Sequence, residues 1–199
     1  MSNADSPCPQ RVVVVPGNGC GRIERANWYC AVATELRDSY GCDVRVRSMP
    51  DPDEAKREIW LPFILNELGA DADTVLIGHS SGAVAAMRLL EDHKLKGAVL
   101  VSGCHTDLGM ESEAISNYYP RADGSNPWRW DAIKANAGWI VQLHSMDDPF
   151  IDVSEARFVA QQTGSEYVEH ENRGHFMEPK LPDVVDIVAK KCGLTKKQS

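Results

Sequence analysis

The sequence has 199 residues, of which 43% are hydrophobic and 25% are charged, values typical of one globular domain. The formal net charge of −8 disfavours binding to nucleic acid or to an anionic membrane, because both partners require a basic surface. No apolar run reaches the roughly 18 residues of a membrane-spanning helix, and the N-terminus lacks the pattern of a signal peptide. We therefore expect a cytoplasmic or nuclear protein whose six cysteines are reduced.

Short β-branched runs alternate with longer amphipathic stretches along most of the chain. In chain order, the patterns predict a strand at 11–15, a helix at 27–40, a strand at 43–47, a helix at 53–68, a strand at 73–77, a helix at 82–93, strands at 97–101 and 139–143, a helix at 153–162, a strand at 165–169 and a helix at 181–192. Pro62 lies inside the second predicted helix, where it would kink or split it. We predict a single domain over residues 11–192, with flexible ends at 1–10 and 193–199.

The alternation of strands and helices is the signature of a parallel sheet covered by helices on both faces. The continuous apolar runs at 11–15 and 97–101 fit strands that are buried on both faces. We therefore predict a three-layer α/β/α fold with a mostly parallel sheet and no large cap domain. Residues 102–138 are the least regular stretch and are predicted to form a helical excursion or short lid. Because ligands of such sheets bind at the carboxyl ends of the strands, the functional residues should lie in the loops that follow them.

Residues 78–82 read Gly-His-Ser-Ser-Gly, which matches the Gly-x-Ser-x-Gly pattern of a nucleophile elbow. The pattern alone is a weak signal, but here it lies directly between a predicted strand and a predicted helix, as an elbow requires. Glycines two positions before and after Ser80 would let the strand and helix backbones approach closely, and the helix N-terminus favours developing negative charge. We predict Ser80 as a nucleophile, the alternative being a serine that only caps the helix.

A serine nucleophile needs an adjacent base, and six histidines are available. In folds with an elbow of this kind, an acid and then a histidine follow the serine along the chain. His175 meets this order, because it lies beside Gly174 in a short loop after the last predicted strand. His170 is closer to that strand and has no glycine beside it. We therefore predict His175 as the general base.

The acid that orients this base should follow the penultimate strand, where Asp147 and Asp148 compete. Asp148 precedes Pro149, which favours an extended conformation for it, and it lies three residues before the β-branched Ile151. We favour Asp148, whose carboxylate would fix the imidazole tautomer and stabilise the imidazolium. Asp147 remains the alternative.

The loop after the first strand reads Pro-Gly-Asn-Gly-Cys-Gly-Arg at 16–22. Its alternating glycines suggest a dinucleotide-binding loop, but Arg22 stands where the third glycine of that motif is required. We instead predict that the backbone N–H groups of Asn18 and Ser81 form an oxyanion hole, with Gly19 as the alternative to Asn18. No histidine or cysteine spacing predicts a metal site, so we expect neither a metal nor another cofactor.

Together these segments resemble the retinoblastoma-binding protein 9 family, serine hydrolases with an α/β-hydrolase fold. The shared stretches run from Val12 to Phe176 and include VPGNG, SMPDP, IWLPF, IGHSSGA, DDPF and GHF. GHSSG and GHF are common to many hydrolases, whereas SMPDP and IWLPF are more specific to this family. The resemblance implies Ser80, Asp148 and His175 as a catalytic triad. It also implies hydrolysis of small esters or amides, including amino-acid derivatives.

The family name further implies binding to retinoblastoma pocket proteins through a Leu-x-Cys-x-Glu motif. The corresponding stretch here reads Leu-Gly-Ala-Asp-Ala at 68–72, and the motif occurs nowhere else in the sequence. We therefore do not expect pocket-protein binding by that route.

Two functional hypotheses follow. The first is an acyl-transfer hydrolase that acts on a small-molecule ester or amide through an acyl-enzyme intermediate. The alternative is an interaction or regulatory protein on a hydrolase scaffold with little or no turnover, because a fold alone does not define a function. The presence of Ser80, Asp148 and His175 together favours the enzyme.

Overall fold

The computed structural model describes residues 10–197. The strands are β1 (Arg11–Val15), β2 (Asp43–Val46), β3 (Val75–His79), β4 (Gly97–Val101), β5 (Ile140–Ser145) and β6 (Glu166–His170). The helices are α1 (Tyr29–Tyr40), α2 (Arg57–Asn66), α3 (Ser81–Leu90), α4 (Glu111–Ala114), α5 (Trp130–Asn136), α6 (Val153–Thr163) and α7 (Pro182–Cys192). The six strands form one sheet in the order β2-β1-β3-β4-β5-β6, and every neighbouring pair is parallel. All six carboxyl ends therefore meet at one edge, and the predicted fold class is confirmed.

Helices cover both faces of the sheet and complete the three layers. Helices α1 and α7 pack on the face to which Val12 and Val14 of β1 point. Helices α2, α3, α5 and α6 pack on the opposite face, with Val13 and Val15. Because successive side chains of a strand point to opposite faces, all four valines are completely buried. This two-sided burial explains why the strand sequence is continuously apolar rather than alternating.

Some element boundaries differ from those expected from the sequence. Helix α2 begins at Arg57 rather than at residue 53, because residues 51–54 form a turn. Pro62 does not split α2. Because proline has no N–H, the Glu58 carbonyl lacks its usual donor four residues on. Both Glu58 and Pro62 are exposed, so water can hydrate that carbonyl. Strand β3 ends at His79, two residues later than predicted, and leads directly into Ser80.

Residues 102–138, between β4 and β5, contain the short helices α4 and α5 and otherwise irregular backbone. The buried side chain of Arg88 in α3 holds the second half of this segment and forms an ion pair with the buried Glu91 at 2.7 Å. The Arg88 guanidinium also donates to three carbonyl groups of the segment, those of Tyr118 at 2.7 Å, Asn126 at 2.9 Å and Pro127 at 3.0 Å. The excursion is therefore attached to the helix that follows Ser80.

The C-terminal residues up to 197 lie against α1. Lys196 pairs with Glu35 at 2.9 Å, and the backbone N–H of Lys197 donates to the carbonyl of Ser39 at 2.7 Å. Residues 1–9 and 198–199 lie outside the described part of the chain, so the flexibility expected of the two ends stays a prediction. Between residues 10 and 197, no helix has both the length and the apolar composition needed to cross a bilayer.

Replacing Arg88 should be strongly destabilising. Arg88→Met removes the nearest charged partner of the buried Glu91 carboxylate, which keeps the Arg129 N–H at 2.9 Å and two more distant guanidinium groups. It also leaves three carbonyl groups without their donor, so we expect the free energy of unfolding to fall by about 3–5 kcal/mol. Urea denaturation measures this change. The control is Arg25→Met, an exposed arginine that should change stability by less than about 0.5 kcal/mol. Equal effects of the two substitutions would contradict the assigned role of Arg88.

Candidate active site

The turn between β3 and α3 holds Ser80 in a strained backbone conformation. Its φ of 53° and ψ of −120° lie in a region that residues other than glycine rarely adopt. The Ser80 N–H donates to the carbonyl of Val101 at 2.8 Å, and α3 begins at the next residue. Ser80 therefore lies at the carboxyl edge of the sheet and at the N-terminus of a ten-residue helix.

Gly78 and Gly82 make this turn possible. A Cβ atom on Gly78 would overlap the backbone of Gly82, and a Cβ atom on Gly82 would overlap the carbonyl group of Val15. The strand and helix backbones thus approach as closely as the sequence pattern predicts, and any side chain at these two positions would force them apart.

The imidazole of His175 is hydrogen-bonded to the carboxylate of Asp148. The Nδ1 atom lies 2.8 Å from Oδ2 and 3.0 Å from Oδ1. Because an ionised carboxylate only accepts hydrogen bonds, Nδ1 carries a proton, and Nε2 of the neutral ring is left as an acceptor. The Asp148 side chain is fully buried, and that of His175 is 9% exposed.

Asp148 stays ionised despite its burial. Burial raises the pKa of its carboxyl, but the hydrogen bond and charge of His175 and the N–H groups of Phe150 and Ile151 outweigh this effect, so the pKa is lowered. These two N–H groups donate at 3.0 and 3.1 Å. The nearby His144 lies 3.9 Å from the carboxylate, and because burial lowers the pKa of its imidazole, it brings no positive charge at neutral pH.

Asp147, the alternative acid, contacts the backbone of the loop that carries His175 instead of the imidazole. Its Oδ1 accepts from the Gly174 N–H at 2.8 Å and from the Ser145 hydroxyl at 2.6 Å. The Ser145 hydroxyl also accepts from the Arg173 N–H at 2.8 Å. The geometry therefore selects Asp148 as the partner of the imidazole and gives Asp147 a role in holding the loop.

Ser80 and His175 line the same cavity, which has a volume of about 620 Å³ and is also lined by Asn18 and Ser81. No hydrogen bond joins the Ser80 hydroxyl to the imidazole in the part of the chain that is described, where the imidazole bonds are those to Asp148. The structure thus joins the predicted acid and base by a hydrogen bond. It places the predicted nucleophile in the same cavity, without a hydrogen bond between the Ser80 hydroxyl and the His175 imidazole. In unliganded enzymes, catalytic hydrogen bonds are often long and tighten when the substrate binds.

The loop after β1 runs directly against Ser80, since a Cβ atom on Gly17 would lie 3.1 Å from that of Ser80. The Gly17 N–H donates to the hydroxyl of Tyr29 at 3.2 Å, and the Gly19 N–H donates to the carbonyl of Pro52 at 2.7 Å. The Asn18 N–H, between them, has no acceptor among residues 10–197. The Ser81 N–H begins α3 and has no acceptor within that helix. Asn18, rather than Gly19, therefore fits the predicted donor.

Sequence reasoning missed Glu113 of α4. Among the described residues that line the cavity, it is the one Asp, Glu, Lys or Arg. Its Oε1 accepts from the side-chain amide of Asn18 at 3.0 Å, and its Oε2 accepts from the hydroxyl of Tyr119 at 2.9 Å. The excursion thereby places a carboxylate beside the loop after β1.

Three apolar side chains of the cavity lining are exposed, namely Met110, Phe150 and Met177, with exposed fractions of 49%, 61% and 59%. The Phe150 ring lies 5.0 Å from the His175 ring in an edge-on arrangement. Over the range that the structure describes, no three His, Cys, Asp or Glu side chains are grouped so as to hold a metal ion.

The chain belongs to the serine hydrolase family, whose model matches residues 12–180. It is 41% identical over 180 residues to serine hydrolase RBBP9 of Rattus norvegicus, a match that covers 90% of this chain and 94% of the relative. This membership favours the hydrolase over a scaffold without turnover.

Two solved structures share the fold. The ydeN gene product of B. subtilis has a TM-score of 0.80 at 24% identity and covers 92% of this chain and 99% of its own. The monoacylglycerol lipase of Paleococcus ferrophilus has a TM-score of 0.65 at 17% identity and covers 92% of this chain and 96% of its own. The protein is therefore an α/β hydrolase in fold.

The two neighbouring aspartates should differ sharply in their effect on hydrolysis. In Asp148→Asn, the amide oxygen should keep the bonds from the Phe150 and Ile151 N–H groups, so an NH₂ donor replaces Oδ2 beside His175 Nδ1 and favours the wrong tautomer. We therefore expect kcat for a chromogenic ester such as p-nitrophenyl acetate to fall by a factor of about 10⁴. Asp147→Asn, the matched control, keeps the imidazole partner and should cost about tenfold or less. Steady-state kinetics compare the two variants, and a larger loss in Asp147→Asn would reverse the assignment.

Proposed function

We propose that the protein hydrolyses small carboxylic esters or amides, including amino-acid esters, through a Ser80-His175-Asp148 triad and an acyl-enzyme intermediate. The main support is the 2.8 Å hydrogen bond between His175 Nδ1 and Asp148, which leaves Nε2 free to act as the base in a cavity that both His175 and Ser80 line. The strained turn at Ser80 supports the same conclusion, because such strain is typical of nucleophile elbows.

In the acylation half-reaction, the Ser80 hydroxyl oxygen attacks the substrate carbonyl carbon while its proton passes to Nε2 of His175. The ionised Asp148 stabilises the resulting imidazolium and takes up no proton. The N–H groups of Asn18 and Ser81, with the N-terminus of α3, stabilise the negative charge that develops on the carbonyl oxygen. The bond to the leaving group then breaks, the leaving group takes the proton from His175, and the acyl group stays on Ser80.

Deacylation repeats these steps with water. A water molecule attacks the acyl carbon and gives a proton to Nε2 of His175. The bond between the acyl carbon and the Ser80 oxygen breaks, the carboxylic acid leaves, and the proton returns to the serine hydroxyl. Since Asp148 is ionised at neutral pH, the same carboxylate stabilises the imidazolium in both half-reactions.

The cavity lining supports a small substrate that is partly apolar and partly cationic. A volume of about 620 Å³ suits a small molecule. Met110, Phe150 and Met177 offer apolar surface for an acyl group or a leaving group. The Glu113 carboxylate offers a partner for a protonated amine, and no positively charged lysine or arginine of the described lining opposes it. An amino-acid ester with a free amino group combines both features.

The choice of nucleophile is tested with a fluorophosphonate probe, which phosphonylates activated serines. We expect rapid covalent labelling of the wild type and none of Ser80→Ala, because the probe would lose its attacking oxygen. Ser112→Ala, which removes another hydroxyl of the same cavity, is the control and should still be labelled. Mass spectrometry locates the adduct, and equal labelling of wild type and Ser80→Ala would reject the proposed mechanism.

The role of charge in substrate choice is tested with Glu113→Gln. For an amino-acid ester with a free α-amino group, we expect kcat/KM to fall about fivefold, the effect of losing about 1 kcal/mol from a partly exposed ion pair. The N-acetylated ester carries no charge and should lose less than about twofold. Glu111→Gln, on the exposed side of the same helix, is the control for both substrates. An equal loss on the two esters would mean that Glu113 acts on the site without binding the amine.

A further inference from the structure

The loop that carries His175 has a strained backbone at Phe176, its one buried residue between positions 171 and 177. Phe176 has a φ of 52° and Gly174 one of 50°. The Phe176 side chain is completely buried. A residue other than glycine keeps a positive φ only where its surroundings hold it there, at a cost of order 1–3 kcal/mol. Contacts from outside the loop must therefore fix this conformation.

Two buried ring nitrogens hold consecutive carbonyl groups of this loop. The Nε2 atom of His79 lies 2.8 Å from the carbonyl oxygen of His175, and Nε1 of Trp28 donates to that of Phe176 at 2.9 Å. Trp28 is completely buried and His79 is 2% exposed. Because a carbonyl oxygen only accepts, Nε2 of His79 carries the proton and its Nδ1 is an acceptor.

The second nitrogen of His79 reaches the loop after β1 through Tyr29. The Tyr29 hydroxyl donates to Nδ1 of His79 at 2.6 Å. The same hydroxyl oxygen accepts from the Gly17 N–H at 3.2 Å and from the Asn27 side-chain amide at 3.1 Å. The contacts form a continuous bridge, Gly17–Tyr29–His79–His175, in which every donor has an acceptor.

The protonation states suit this bridge. Burial, helped by the charge of His175, lowers the pKa of His79 to about 3, so its imidazole is neutral. Burial likewise raises the pKa of Tyr29 to about 12, so its hydroxyl keeps the proton that it donates. Each hydrogen bond therefore has one fixed direction at neutral pH.

We propose that His79, acting with Tyr29, is a positioning residue that fixes the base-bearing loop relative to the loop that offers the Asn18 N–H. His79 directly precedes Ser80, so the bridge ties together the three loops that carry the nucleophile, the base and the oxyanion donor. The inference rests on the proposed function, since it assigns His79 an effect on the acylation step. His79 contacts the backbone of His175 directly and, through Tyr29, the backbone of Gly17, the residue before Asn18.

The rate and the endpoint of fluorophosphonate labelling test this role separately. His79→Leu removes both hydrogen bonds of the ring, and we expect the labelling rate to fall about 100-fold, the cost of misplacing a reacting group by about 1 Å. The final extent of labelling should still reach that of the wild type. His79→Gln keeps an N–H near the position of Nε2 and should be labelled about ten times faster than His79→Leu. Tyr29→Phe should be labelled about ten times more slowly than the wild type. His93→Gln changes an exposed histidine and is the control.

Two labelling results would overturn the proposal. In the first, the endpoint falls while the remaining molecules react at the wild-type rate, which would indicate only a folding defect. In the second, His79→Leu and Tyr29→Phe are labelled at the wild-type rate and to completion.

Amide hydrogen exchange of residues 174–177 measures the bridge without relying on catalysis. In His79→Leu, we expect the N–H groups of Gly174 and Phe176 to exchange about tenfold faster, because the loop loses a buried hydrogen bond. Unchanged exchange would overturn the proposal. If Ser80→Ala were labelled like the wild type while this exchange still rose, the proposed function would fail and the bridge between the loops would stand.

Discussion

The buried carboxylate of Asp148 can remain ionised only because its oxygens receive hydrogen bonds inside the protein. The donors are Nδ1 of His175 and the backbone N–H groups of Phe150 and Ile151. The same bond to His175 decides which ring nitrogen carries the proton and therefore leaves Nε2 as the acceptor. The orientation of the His175 imidazole thus depends on a carboxylate that solvent does not reach.

The parallel sheet brings these groups together although they are far apart in sequence. Ser80 follows β3, Asp148 follows β5 and His175 follows β6, so all three lie beyond the carboxyl edge. The loop after β1 reaches the same edge because β1 pairs with β3. Close approach at Gly78 and Gly82 then fixes the serine between strand and helix. The resulting site lies on the carboxyl ends of the strands, and the excursion between β4 and β5 completes its lining.

Much of this arrangement is predictable from the sequence, because its signals are local. Continuous valine runs indicate strands buried on both faces, and the flanking glycines indicate the elbow. Asp148 could be preferred over Asp147 because of the proline that follows it. The remaining parts depend on long-range contacts. The Gly19 N–H already donates to the Pro52 carbonyl, which favours Asn18 as the proposed donor, and His79 contacts partners 50 and 96 residues away. Glu113 lies in an irregular segment whose path no periodic pattern specifies.

The most direct test of the proposed triad is a crystal structure of the protein after reaction with a phosphonate ester. We predict a covalent bond from phosphorus to the hydroxyl oxygen of Ser80 and a phosphonyl oxygen within hydrogen-bonding distance of the N–H groups of Asn18 and Ser81. Nε2 of His175 should lie beside the same centre while Nδ1 keeps its bond to Asp148. Phosphorus bound to another side chain, or an imidazole turned away from Ser80 in the adduct, would contradict the account.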